Sequence, residues 1–113
     1  MRDLAPGIHR QRLVIEGLVT SSISAEDIVR YLKDLGSLTE MSVLTEPVTH
    51  RSPMYGWAGW VHWETSGAHF YAWDAPYRFF SVDVYTCKAF DADAVTAFTT
   101  AFFGATETVS RDF

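Results

Sequence analysis

Two short segments hold most of the side chains able to do chemistry. Val82-Asp83-Val84-Tyr85-Thr86-Cys87 alternates apolar and polar residues, so a strand here sets Asp83, Tyr85 and Cys87 on one face. A carboxylate, a phenol and a thiol side by side can give and take protons where their surroundings tune them. An unpaired carboxylate is costly to bury, so Asp83 predicts that this face is solvated. The second segment, Glu64-Thr65-Ser66-Gly67, is a polar break between two apolar stretches and is followed by His69 and Tyr71. Its spacing alone predicts a β-turn, since Ser-Gly is ordinary turn chemistry. The histidines His9, His50, His62 and His69 show no helical metal-ligand spacing. Asp91 and Asp93 read as helix-capping and dipole residues.

The elements that must position these groups follow from periodicity. His9–Thr20, with Leu13-Val14-Ile15 and Leu18-Val19, predicts a first strand. Ser24 and Asp27 form a capping-box pair, and Ile28, Tyr31, Leu32 and Leu35 repeat at helical spacing, with Gly36 placed to end the helix. Residues 38–49 predict an edge strand interrupted by Pro47. Tyr55–Glu64 predicts a strand with Trp57, Gly59, Val61 and Trp63 facing one way. Thr65-Ser66-Gly67 breaks the chain before a short strand, Ala68–Trp73, with His69, Tyr71 and Trp73 on one side. Phe79–Cys87 is the clearest strand. Asp91 caps a second helix over 92–103, which buries Val95, Phe98 and Phe102; Gly104 stops it, and Thr106–Ser110 is the last strand. The order β-α-β-β-β-β-α-β predicts an α+β fold: a two-layer α/β sandwich, with a mostly antiparallel sheet and both helices on one face.

Composition bounds the function. The 113 residues fit one domain, 1–113, and an apolar share of 48% excludes intrinsic disorder. A net charge of −5 argues against nucleic acid or an anionic membrane as partner. No apolar run has the length of a membrane span, and the first residues lack the apolar core of a secretory signal. A single cysteine, Cys87, excludes an internal disulfide and fits a cytoplasmic location. The aromatic share is high at 15%, with four tryptophans between residues 57 and 73. Such density serves a core, a homodimer or larger homo-oligomer interface, or a pocket for a flat or cationic ligand.

The segment from Tyr55 to Cys87, followed by Asp91 and the helix over 92–103, resembles the bacterial and archaeal type of S-adenosylmethionine decarboxylase. That family has a Gly-rich strand, a Glu-Ser-His-Leu-Ser/Thr-Ile-His-Thr-Trp-Pro-Glu stretch and a Val-Asp-Val-Phe-Thr-Cys strand. The text here is Ala58-Gly59-Trp60-Val61-His62-Trp63-Glu64-Thr65-Ser66-Gly67-Ala68-His69-Phe70-Tyr71-Ala72-Trp73-Asp74, then Val82-Asp83-Val84-Tyr85-Thr86-Cys87.

The resemblance implies a pyruvoyl group derived from Ser66 by self-cleavage of the Thr65–Ser66 bond, with no metal. It also implies S-adenosylmethionine as the small-molecule substrate, and loss of CO2 to supply the aminopropyl donor for spermidine. Cys87 takes the place of the family's proton donor. Trp73 and Phe70 are set against adenine or sulfonium, and Asp74 against ribose hydroxyls. Glu64, one residue before the position of the family's glutamate, joins them as a substrate-binding residue. The chain departs from the pattern at Thr65, where the family has that glutamate. It departs also at Tyr71, where the family has a histidine that assists processing and catalysis, and at Ala58, where the family has a second serine. His69 is the candidate substitute for the missing imidazole, and Tyr71 a candidate acid or hydrogen-bond donor. The alternatives are an unprocessed relative that binds S-adenosylmethionine or a similar ligand, and a different reaction on the same fold: decarboxylation of another amino acid, or a cofactor-free lyase reaction using a carboxylate such as Glu64 or Asp83.

Overall fold

The computed structural model describes all 113 residues. Alternating apolar residues build six strands: β1 (Gln11–Leu18), β2 (Val48–Arg51), β3 (Trp57–Trp63), β4 (Ser66–Trp73), β5 (Phe79–Thr86) and β6 (Glu107–Asp112). They form one sheet in the order β2-β3-β4-β5-β1-β6, and every neighbouring pair is antiparallel. Two helices, α1 (Ala25–Leu38) and α2 (Ala92–Phe103), pack side by side on one face of it. The α+β two-layer sandwich expected from the element order is the observed fold.

One parity of each strand meets the helices. Leu13 and Ile15, Val61 and Trp63, Ala68 and Phe70, and Phe80, Val82 and Val84 join Ile28, Tyr31, Leu32, Leu35 and Val95 in a single core cluster. Tyr31 stands at its centre, with its ring against Phe70, Phe98, Phe102 and Phe103. Its hydroxyl shares a 2.7 Å hydrogen bond with Thr99 Oγ1. Burial raises the Tyr31 phenol well above its ordinary pKa, and the bond to Thr99 only partly opposes this. The other parity faces away from the helices and carries Trp60, His62, His69, Tyr71, Asp83 and Tyr85, so Asp83 is solvated as expected.

The helix caps follow the expected pattern. Ser24 accepts from the Asp27 N–H while Asp27 accepts from the Ser24 N–H. Asp91 accepts from the Ala94 N–H, and Gly104 closes α2 in the left-handed conformation.

Three local expectations are corrected. Gly36 does not end α1: the helix runs to Leu38, and Glu40 takes the left-handed position, with Met41 N–H on Gly36 O and Glu40 N–H on Ser37 O. Gly36 instead makes room for Trp63, whose indole Nε1 would lie 2.9 Å from a Cβ there. The strand expected over 38–49 shrinks to a single bridge between Val43 and Trp63, with β2 beginning only at Val48. The α1 C-cap consumes residues 39–41, and Pro47 has no N–H to extend a ladder. Ser66 and Gly67 do not break the chain: β4 starts at Ser66, and the turn is Glu64-Thr65.

Candidate functional site

The β3–β4 turn is two residues long, because Trp63 and Ser66 are cross-strand partners. Thr65 closes it at φ +59°, a left-handed conformation that a β-branched residue rarely adopts and that costs on the order of 1–3 kcal/mol. The loop after α1 holds the turn: Glu64 N–H donates to Ser42 O at 3.0 Å. The strained residue thus sits directly before Ser66, which begins β4 and is nearly buried.

Ser66 and Cys87 meet. The Cys87 N–H donates to Ser66 Oγ at 3.1 Å, across 21 residues of sequence. The Cys87 thiol is half-buried and lies 3.9 Å from the Tyr85 hydroxyl. Beside Ser66 opens a pocket of about 650 Å³, at the end of the sheet where the β3–β4 turn, the end of β5 and the start of β1 converge. Ser66 and His69 line it, with His62, Asp83, Tyr85 and Arg12. His69 stands opposite Asp83 on β5 and opposite Trp60 on β3.

The remaining expected site residues are dispersed. Phe70 is a core side chain with no exposed surface, stacked on Phe80 and packed against Tyr31 and Phe103, so it does not reach the open face where His69 lies. Tyr71 is exposed on the open face, one cross-strand row beyond His69. Trp73 packs on Phe79 at the far end of β4, about 23 Å along the strand from Ser66 at ~3.3 Å per residue. Asp74 accepts a 2.6 Å hydrogen bond from Ser22 at that same end. Glu64 is exposed in the turn and does not line the pocket. No three His, Cys, Asp or Glu side chains converge where they could hold a metal ion.

The family model of S-adenosylmethionine decarboxylase matches residues 20–113. The chain belongs to the S-adenosylmethionine decarboxylase family. The crystal structure of the adenosylmethionine decarboxylase from Aquifex aeolicus VF5 has the same fold, with a TM-score of 0.78 over 94% of this chain and 89% of that chain, at 14% identity. No curated protein sequence matches the chain.

The family is known for a pyruvoyl group, and the chain's residues fit one: a serine hydroxyl fixed by a backbone N–H, immediately after a strained residue, on the wall of a pocket. Two positions that sequence reasoning missed also line the pocket. Arg12 and His62 lie on different strands from Ser66, and only the strand register reveals that they share its surroundings.

Proposed function

We propose that the protein is a pyruvoyl-dependent decarboxylase of S-adenosylmethionine, which supplies the aminopropyl donor for spermidine. The observation that carries this reading is the hydrogen bond from the Cys87 N–H to Ser66 Oγ, since the two residues that match the family's pyruvoyl serine and proton-donor cysteine are in contact. When present, the pyruvoyl group supplies the electron sink that allows CO2 to leave the substrate α-carbon. The chain's own residues do the rest. Thr65 holds the bond before Ser66 in a strained turn. His69 is the imidazole nearest in sequence to Ser66 on the pocket wall, and serves proton transfer in place of the family histidine. The Cys87 thiol returns a proton to the α-carbon, with the Tyr85 hydroxyl beside it. Two copies or more associate through the open aromatic face of the sheet, and the whole chain, 1–113, acts as one cytoplasmic domain.

A second reading keeps the pocket and drops the cleavage: an unprocessed relative that binds S-adenosylmethionine or a similar ligand. The pair Ala58 and Tyr71 favours it, because neither residue keeps the family's helper side chain.

Intact-mass spectrometry of purified protein separates the two. Fragments 1–65 and 66–113, the second carrying an amine-reactive ketone at its first residue, are the expected result. A single 12.7 kDa species that persists on long incubation overturns the pyruvoyl reading and leaves the binding one.

A further inference from the structure

Arg12 reaches the Ser66 pocket from β1, which lies wholly outside the stretch that the family model matches. It is the one arginine or lysine among the lining residues, and Asp83 is the one carboxylate side chain. The Arg12 guanidinium has no salt-bridge partner, whereas Arg10, Arg30 and Arg78 each pair with an aspartate. Arg10 also donates to the carbonyls of Ala5 and Ile8, so its cation is fully engaged.

What holds Arg12 is an aromatic ring. Arg12 and Tyr85 are cross-strand partners, and the guanidinium carbon lies 5.2 Å over the centre of the Tyr85 ring. Stacking occupies the flat face of a guanidinium and leaves its edge N–H groups available. Those edge groups are spaced to grip a carboxylate with two parallel hydrogen bonds. Asp83 is the diagonal neighbour of Arg12, about 7–8 Å away in an antiparallel ladder, and the two charges do not pair. One wall of the pocket therefore presents separated, unneutralised charges of opposite sign, the pattern that a zwitterionic amino-acid group complements.

We propose that Arg12 binds the carboxylate of an amino-acid-bearing ligand in the Ser66 pocket, its guanidinium preset by the Tyr85 ring. This rests on the reading of the pocket as a site for S-adenosylmethionine, and names the group that grips the amino-acid end. The grip has a kinetic consequence. A carboxylate held by Arg12 loses its charge as CO2 departs, so the contact is strongest in the ground state and weakens toward the transition state. Such a contact lowers KM without raising kcat.

The test uses the full chain carrying Ser66→Ala, in which no turnover occurs, titrated by calorimetry with S-adenosylmethionine and with 5′-methylthioadenosine. The second probe has the nucleoside and the sulfur but no amino-acid tail. Adding Arg12→Gln is expected to weaken S-adenosylmethionine about tenfold or more, the effect of losing a charge-assisted hydrogen bond, and to leave methylthioadenosine within about twofold. Arg12→Lys, which keeps the charge but not the fork, falls between. Unchanged affinity for S-adenosylmethionine in Arg12→Gln overturns the proposal. Equal weakening of both probes also overturns it, by making Arg12 a support of the pocket wall. If the Ser66→Ala chain binds neither probe, the S-adenosylmethionine reading fails first and this inference falls with it.

Discussion

Ala58 and Tyr71 stand directly opposite each other across the β3–β4 ladder. The two positions that the resemblance matches to the family's helper residues are therefore one cross-strand pair on the open face. The next row toward the turn pairs Trp60 with His69, so the nearest imidazole on β4 lies two residues closer to Ser66 than the family position.

Under the proposed pyruvoyl reading, both rows bear on cleavage before Ser66. Restoring the family pair with Ala58→Ser and Tyr71→His is expected to increase the fraction of chain cut before Ser66 at a given time, measured by intact mass. His69→Ala in the otherwise unaltered chain is expected to slow cleavage by about 10²-fold, the usual worth of a positioned general acid–base. Normal processing in His69→Ala would remove the imidazole from the proposal.

Gly36→Ala tests the packing behind the turn. Helix propensity alone would make this change stabilising by about 1 kcal/mol. The added Cβ would meet Trp63 Nε1 at 2.9 Å, and that indole is fully buried in the core. Overpacking of this kind costs about 1–3 kcal/mol. The expected net result is a stability loss of up to about 2 kcal/mol, read from urea unfolding. Trp63 is the cross-strand partner of Ser66, so under the pyruvoyl reading the same variant is expected to cleave more slowly than its parent. A gain in stability would show that Trp63 moves aside freely.

The open sheet face carries exposed Trp60 and Tyr71, aligned with His62 and His69 in a continuous run of rings, and exposed Tyr85 on the same face. An aromatic surface of this extent is what a protein interface covers. The chain is expected to sediment as a dimer or larger, and Trp60→Glu to shift it toward monomer while the far-ultraviolet circular dichroism is retained. A monomeric parent at micromolar concentration would leave this face without a second copy.

The sequence made the element order legible because each element announces itself locally. The Ser24–Asp27 box, the Asp91 cap, Gly104 and the alternation from Phe79 to Thr86 all act within a few residues. The failures lie where a distant partner decides. Gly36 looks like a helix stop until the Trp63 indole is seen against it. Ser66 looks like turn material until Trp63 pairs with it and the Cys87 N–H reaches its hydroxyl. Phe70 was open to reading from alternation alone, because a strand that shows His69 and Tyr71 to one side must turn Phe70 to the other. Arg12 was not, since its place in the pocket follows from the β1–β5 register, which no local pattern specifies.

Tyr31 gives the fold a dependence on alkaline pH whose sign can be worked out. Its phenol is raised in the folded state chiefly by burial, against an ordinary value near 10. Below that value both folded and unfolded chains hold the proton, and the group adds no pH dependence. Above it the unfolded chain releases the proton while the folded chain keeps it, so the unfolded state binds fewer protons and stability falls. The slope approaches about 1.4 kcal/mol per pH unit and persists until the buried phenol itself ionises. Tyr31→Phe removes this titration and loses the bond to Thr99, at a cost of about 1 kcal/mol near neutral pH. Thr99 Oγ1 still donates to Val95 O, so that hydroxyl keeps a partner. The expected outcome is a stability gap between parent and variant that narrows from about pH 9 to about pH 11 and then reverses, as the loss from the buried Tyr31 phenol outgrows the worth of its bond to Thr99. Urea midpoints across that range measure it. Parallel curves would mean that the Tyr31 phenol is not held neutral by burial in the core.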